Sequence, residues 1–417
     1  MGKFVTKTTL AFVLLLSIFL GGINEVKVVA ASNEGALQPL EEMINNINKK
    51  QLSEIPNLWT DDRTKLLADF LNNQENQEKH IGLFNLKNGR IISTKEIPTQ
   101  FKSQFPTQKD DSLLYYVAID YQVHQEDEFF INGINYFLVE VQQEQGKWKI
   151  AQIADAPVNI ITSNGLGFNT QDEKEMQTII EQRYKGKFVN RQFKTLKTIQ
   201  TEEKRLFNQK DSKPLTVEAT KAKLGITDNS VSVTLDSEHK EPGLISVYLT
   251  NPENQRDYGC SGCVRNIAFN YYVENVLPNE WRSEWHIASL RTGAIVVKMY
   301  GWYAVYHHLA GSVGAAIFDD TRSQVFKSDS ATSRAVQACL DVMGQGIHRK
   351  DNQSLFLTEY RAGAVGNAGI KASGRVSQNG SNYLANIGWL PYEILKYYYN
   401  DSDKVGGVGK EYQFFVY

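Results

Sequence analysis

Glu280 stands among aromatic and aliphatic residues, with Trp281 beside it, Trp285 five residues on, Leu277 three residues before it and Tyr300 twenty residues on. An apolar wall disfavours the charged form of a carboxyl and lifts its pKa towards neutrality, where one side chain can both give and take a proton. Trp281 and Trp285 also offer ring faces that can stack on sugars, whereas Trp302 and Tyr303 read as core. The plain alternative for Glu280 is a partly exposed carboxylate that pairs with Arg282 or caps a following helix near Ser283. Cys260 and Cys263 are separated by two residues, and a local disulfide, two thiols or half of a zinc site all remain open. Zinc would need Cys339 and one of His286, His307, His308 or His348 to complete four ligands. No Ser/His/Asp order, phosphate loop or His-Glu-x-x-His pattern is present, so no metal and no cofactor is expected.

These groups must be held by a helix. Ile287, Leu290, Ala294, Val297, Gly301 and Ala304 form an apolar stripe of small and large residues at helical spacing. Arg291 and Lys298 are seven apart and fall on nearly one face. His307 and His308 close the helix, where imidazoles favour the C-terminal dipole. Pro278 disfavours helical backbone at Leu277, which sets a break just ahead of Glu280.

Tyr271 to Trp281, followed by Ser289 to Tyr300, resembles the SpoIID/LytB family of bacterial cell-wall proteins. Its pattern is a Tyr-Val segment, a Glu-Met-Pro-like turn and a helix reading Ala-Leu-Lys-Ala-Gln-Ala-x-Ala-Ala-Arg-Thr-Tyr. Asp320-Thr321-Arg322-Ser323-Gln324-Val325-Phe326 is similar to the family's Asp-Thr-x-x-Gln-Val-Tyr stretch. Val376-Ser377-Gln378-Asn379-Gly380, Gly388 and Tyr392 to Tyr399 are similar to its C-terminal signature. The resemblance spans roughly residues 245–400 with the motifs in order. It implies that Glu280 is the catalytic acid/base of a peptidoglycan lytic transglycosylase. Arg291, Lys298, Gln324, Ser377 and Gln378 would position glycan, with Trp281 and Trp285 as stacking surfaces. The family's other activity is an amidase enhancer, a non-enzymatic modifier of a wall hydrolase. Three departures bear on that choice. The helix glutamine is Gly293, the turn before Ser377 reads Ala372-Ser373-Gly374-Arg375, and lysine at 298 cannot make a bidentate arginine contact. No metal or disulfide of other members is carried over.

The rest of the chain reads as support. Helical spacing at Leu37, Leu40, Met43 and Ile44, and again at Leu66 to Leu71, precedes β-rich runs at Leu113–Ile119, Tyr136–Val141 and Trp148–Ile153. That order resembles the nuclear-transport-factor-2-like fold over residues 36–157, and no Asp/His pair within it argues for catalysis. Residues 158–240 read as a polar, basic linker or accessory segment with a helix near Thr170–Arg183. Residues 241–405 carry the SpoIID-like part, so the fold class is α+β.

Lys3, Lys7 and the apolar run Leu10–Leu20, then Ala30, Ala31 and Ser32, predict a signal peptide over residues 1–31 and a secreted, wall-associated protein. An uncleaved anchor is the alternative. The 417 residues carry 45 basic and 47 acidic side chains, and removing Lys3, Lys7, Lys27 and Glu25 takes the net charge from −2 to −4. That balance argues against nucleic acid as a partner. Against it, the segment 183–213 is +7 and could hold an anionic wall polymer, although a solvated face explains it too.

Overall fold

Four runs rich in β-branched and aromatic residues form an antiparallel meander: Leu86–Glu96, Leu113–Val123, Gly133–Glu144 and Lys147–Asp155. Successive side chains of a strand point to opposite faces, and here both faces are covered. Val117, Ile119, Val139 and Ile150 pack on Leu40, Met43, Ile47 and Phe70 from the preceding helices, Gln38–Lys49 and Asp61–Leu71. On the other face, Tyr116, Leu138 and Ala154 meet Met176, Ile179 and Ile180 of the helix Gln171–Tyr184. Thr170 caps that helix by accepting the Glu173 N–H. The helix expected near Thr170–Arg183, in what reads as a polar linker or accessory segment, is thus a core helix, because its apolar residues recur at helical spacing on the sheet side.

The computed structural model describes residues 35–105, 107, 111–198, 217–226, 231–233 and 239–417, and Gly35–Tyr417 cluster as one unit. The expected signal peptide lies outside the described residues, as does the basic block beyond residue 198. Within its described part, Arg183 pairs with Asp155, Arg191 with Asp172, and Lys197 with Glu128. Half of the cations in residues 183–198 are thus neutralised by the protein. No helix among the described residues is long and apolar enough to cross a membrane.

The C-terminal half is built around the helix Ile287–His307, which is buried on nearly all sides. A helix apolar all round must be surrounded, and here the helices Phe269–Glu280, Ser333–Asp341, Gln378–Asn386 and Pro391–Tyr399 surround it. Gly293 permits the closest approach. A Cβ there would come within 2.5 Å of the Trp281 ring, so the side chain that the family pattern places at this position is sterically replaced by an indole. Small sheets flank the helix. Leu244–Tyr248 runs between Val264–Ala268 and Ile317–Phe318, and Tyr412–Val416 runs between Gln345–Arg349 and Val231–Val233. The mixture of helices and mainly antiparallel sheets is α+β.

The expected break at Leu277 does not occur. The helix Phe269–Glu280 runs through Pro278, with Val276 and Leu277 fully buried. Packing of those side chains outweighs the local preference of the residue before proline.

Candidate functional site

Glu280 is the last residue of its helix and is half-buried. Its Oε1 accepts the Val325 backbone N–H at 2.8 Å. The Gln378 amide donates to Oε2 at 3.2 Å and to the Glu280 carbonyl at 2.7 Å. The Tyr360 hydroxyl also hydrogen-bonds the carboxyl. Burial raises the Glu280 pKa above the usual carboxylate value, and these three contacts pull it back part of the way. Neither the pairing with Arg282 nor the cap near Ser283 forms. Arg282 instead lies over the Trp285 ring, 6.0 Å from its centroid.

Each donor is placed by a separate short element. Tyr360–Arg361 and Val376–Ser377 form a two-stranded parallel pair with Tyr360 opposite Val376. Ser377 then caps the helix Gln378–Asn386 by accepting the Gly380 N–H at 2.9 Å. The cap fixes the first helical residue, Gln378, against Glu280. Gly363 has a left-handed φ of +67°, and a Cβ on it would collide with the Ser377 hydroxyl. Gln324 sits behind Tyr360, donating to its hydroxyl at 3.3 Å and accepting from Tyr272 at 3.2 Å. A buried chain of polar groups therefore runs from Tyr272 through Gln324 and Tyr360 to Glu280. Such chains stiffen a site when every member is satisfied.

The apolar wall is present as well. The Trp281 and Tyr360 rings are 5.0 Å apart, and those of Tyr300 and Tyr360 are 6.2 Å apart. Trp281 is fully buried, and its indole N–H donates to Ser381 Oγ at 3.1 Å. No ring face of Trp281 is open to a sugar, which corrects its expected stacking role: the space over Gly293 draws it into the core. Trp285, five residues after Glu280, remains half-buried, with Arg282 over its ring.

Arg291 and Lys298 do share a face, but it turns away from Glu280. Arg291 pairs with Asp341 at 2.8 Å. Lys298 is 4% exposed and donates to the carbonyls of Val342 and Gln345, at 2.8 Å to the former. Both cations hold the end of the helix Ser333–Asp341 and the strand after it. Their expected role in positioning substrate is replaced by a structural one, since a buried cation must find acceptors within the protein.

Tyr360 and the Val325 N–H were not legible as site groups. Glu274, on the same helix as Glu280, is also new. It is fully buried, neither carboxyl oxygen has a hydrogen-bond partner, and burial pushes its pKa up to about 7. The Cys260–Cys263 pair is a disulfide, and Cys339 is free and buried. Among the described residues no group of three or more His, Cys, Asp or Glu is arranged to hold a metal.

The turn just below this site, its two helices, the Gln324 loop and the strand Gln345–Arg349 coincide with a match to a family model. That model, SpoIID, described as stage II sporulation protein, matches residues 259–348. Ser377 and Gln378 lie beyond the matched segment. No curated protein matches the chain.

Proposed function

We propose, from the match of residues 259–348 to the SpoIID family model, that the protein is a peptidoglycan lytic transglycosylase with Glu280 as its single acid/base. The observation that carries the reading is the Glu280 carboxyl, raised in pKa by burial yet held in place by Val325, Tyr360 and Gln378. A protonated carboxyl at that position donates to the glycosidic oxygen of a MurNAc–GlcNAc linkage. The resulting carboxylate accepts the proton of the MurNAc C6 hydroxyl, which closes a 1,6-anhydro ring without water. One carboxyl suffices, unlike the paired carboxylates of hydrolases. Trp285 offers a ring face for a sugar at the rim, and the donors from Gln378 and Tyr360 stabilise the carboxylate in the second half of the cycle. The setting of this chemistry is the cell wall, reached by export through the segment 1–31.

A second reading is a non-enzymatic glycan binder or amidase enhancer. The specific observation in its favour is that Arg291 and Lys298 are both spent on protein groups, which leaves the central helix without a cation for substrate. Mass spectrometry of products from denuded and intact glycan strands separates the two. The transglycosylase yields anhydro-muropeptides with the wild type and none with Glu280→Gln. Their absence from both reactions would leave the binder.

A further inference from the structure

The loop that brings Val325 to Glu280 is also fastened to the N-terminal half of the chain. Asp319 to Phe326 follow the short strand Ile317–Phe318 and close on themselves, with the Phe326 N–H donating to the Asp319 carbonyl at 3.2 Å. Asp319 is fully buried, and its carboxylate accepts the Thr250 N–H at 2.8 Å and the Asn254 amide at 2.7 Å. Towards the other end, Gln324 and Val325 make their contacts to Tyr360 and Glu280. Arg322 lies between these anchors. Its Nε donates to Asp320 Oδ1 at 2.9 Å and its Nη2 to Asp320 Oδ2, while Nη1 donates to the Asp62 backbone carbonyl at 3.0 Å.

Asp62 belongs to the helix Asp61–Leu71, so this hydrogen bond joins residues 260 apart in sequence. The same helix supports the root of the loop twice more. Arg63 is 3% exposed, and its guanidinium lies 4.7 Å from the centroid of the Phe318 ring, with that of Arg322 at 5.3 Å from the same centroid. The Tyr248 hydroxyl, on the strand paired with Ile317–Phe318, donates to the Leu66 carbonyl at 3.1 Å. Three contacts therefore seat one N-terminal helix on the start of the loop. An exposed ion pair would fix little. A guanidinium that grips a carboxylate with two nitrogens and a carbonyl with the third fixes direction as well as distance.

We infer that Arg322 is a positioning residue for the acid/base, an inference that rests on the role proposed for Glu280. By tying the Asp319–Phe326 loop to the helix Asp61–Leu71, Arg322 holds the Val325 N–H on the Glu280 carboxyl. The N-terminal half is thereby a working part of the site. The groups that hydrogen-bond Glu280 are Val325, Tyr360 and Gln378, so Arg322 acts through the loop. When the tie is cut, the N–H drifts from the carboxylate, and a misaligned donor stabilises the charged form less.

The test follows the Val325 amide proton by nuclear magnetic resonance as pH is changed, in the purified protein and two variants. That proton reports the ionisation of the carboxyl it bonds, whether or not glycan is cleaved. In Arg322→Met and in Arg322→Lys the midpoint should rise by about half a unit, roughly a threefold weaker acid. The Val325 amide should also exchange with solvent faster. Lysine keeps the charge, but one ammonium cannot span Asp320 and the Asp62 carbonyl as the fork does, so both variants should shift alike. A fall in thermal midpoint with the Val325 titration unmoved is what a merely structural arginine gives, and it would overturn the inference. A shift in Arg322→Met that Arg322→Lys restores would assign the effect to charge at a distance and overturn it too. Cleavage measured alongside keeps the two readings apart: an inactive wild type whose titration still shifts in both variants refutes the acid/base role and leaves the tie between the halves standing.

Discussion

Glu274 and Glu280 lie on one helix, less than two turns apart, in two different regions of the molecule. Glu274 faces the core, with no hydrogen-bond partner, and burial pushes its pKa up to about 7. Glu280 ends the helix at a half-open corner, where burial also raises its pKa but Val325, Tyr360 and Gln378 supply donors. Burial alone therefore does not make a catalytic acid. Nothing stabilises the charged form of the interior carboxyl, whereas the charged form of the terminal one is already held by donors from the protein. Access and donors distinguish the two, and the difference can be probed from both sides.

The largest expected effect is on Glu280. Glu280→Gln keeps an acceptor for the Val325 N–H but cannot transfer a proton, and it should lower strand cleavage by about 10²–10⁴-fold, the usual contribution of a positioned acid/base. Muropeptide analysis reads the loss, and an unchanged thermal midpoint shows that the fold is intact.

Glu274 should appear in stability rather than rate. Its folded pKa is raised from 4.5 to about 7, so the unfolded chain ionises first. Stability is full below about 4.5, falls as pH rises through about 7, and then levels, with about 3 kcal/mol lost in all. Urea denaturation on either side of that window should show the slope, and Glu274→Gln should remove it without lowering cleavage. A slope that persists in the variant would assign the pH dependence to other groups.

Gln378→Ala and Tyr360→Phe should sharpen the contrast by making Glu280 resemble Glu274. Each removes a donor that favours the carboxylate, so the alkaline limb of the kcat/KM profile should move to higher pH. The rate should also fall by about 10- to 150-fold, since a hydrogen bond to a charged group contributes about 1.5–3 kcal/mol. A limb moving to lower pH would reverse the sign assigned to these contacts.

The smallest effect belongs to Trp285. Trp285→Ala removes a ring contact worth about 0.5–1.5 kcal/mol and should raise KM a few-fold, leaving kcat and its pH profile in place. Steady-state kinetics on soluble glycan strands would show a kcat loss instead if the ring acts on the carboxyl.

Much of the corner was legible because its side chains recur as residue types in order. Glu280, Gln324, Ser377 and Gln378 do converge, although the elements that carry them are far apart in sequence. Val325 was hidden because it acts through its backbone, and Tyr360 because a two-residue strand has no period to read. Arg291 and Lys298 show the limit of helical spacing, which gives a shared face correctly but not the neighbour that covers it. Glu274 left a signal, a single acid among Tyr272, Val273, Val276 and Leu277, that helical periodicity could have flagged. In the sheet, the runs at Leu113, Tyr136 and Trp148 were visible from their apolar residues. The strand Leu86–Glu96 was not, because its alternate side chains are polar and exposed. The contact of Arg322 with the Asp62 carbonyl spans 260 residues and has no local trace.

The central claim is that one carboxyl closes the anhydro ring with no water taking part. Its most direct test is to digest glycan strands in water enriched in the heavy oxygen isotope and weigh the new MurNAc ends. The expected ends are one water lighter than reducing ends and carry no heavy oxygen. Labelled reducing ends would make the protein a hydrolase and contradict the role given to Glu280.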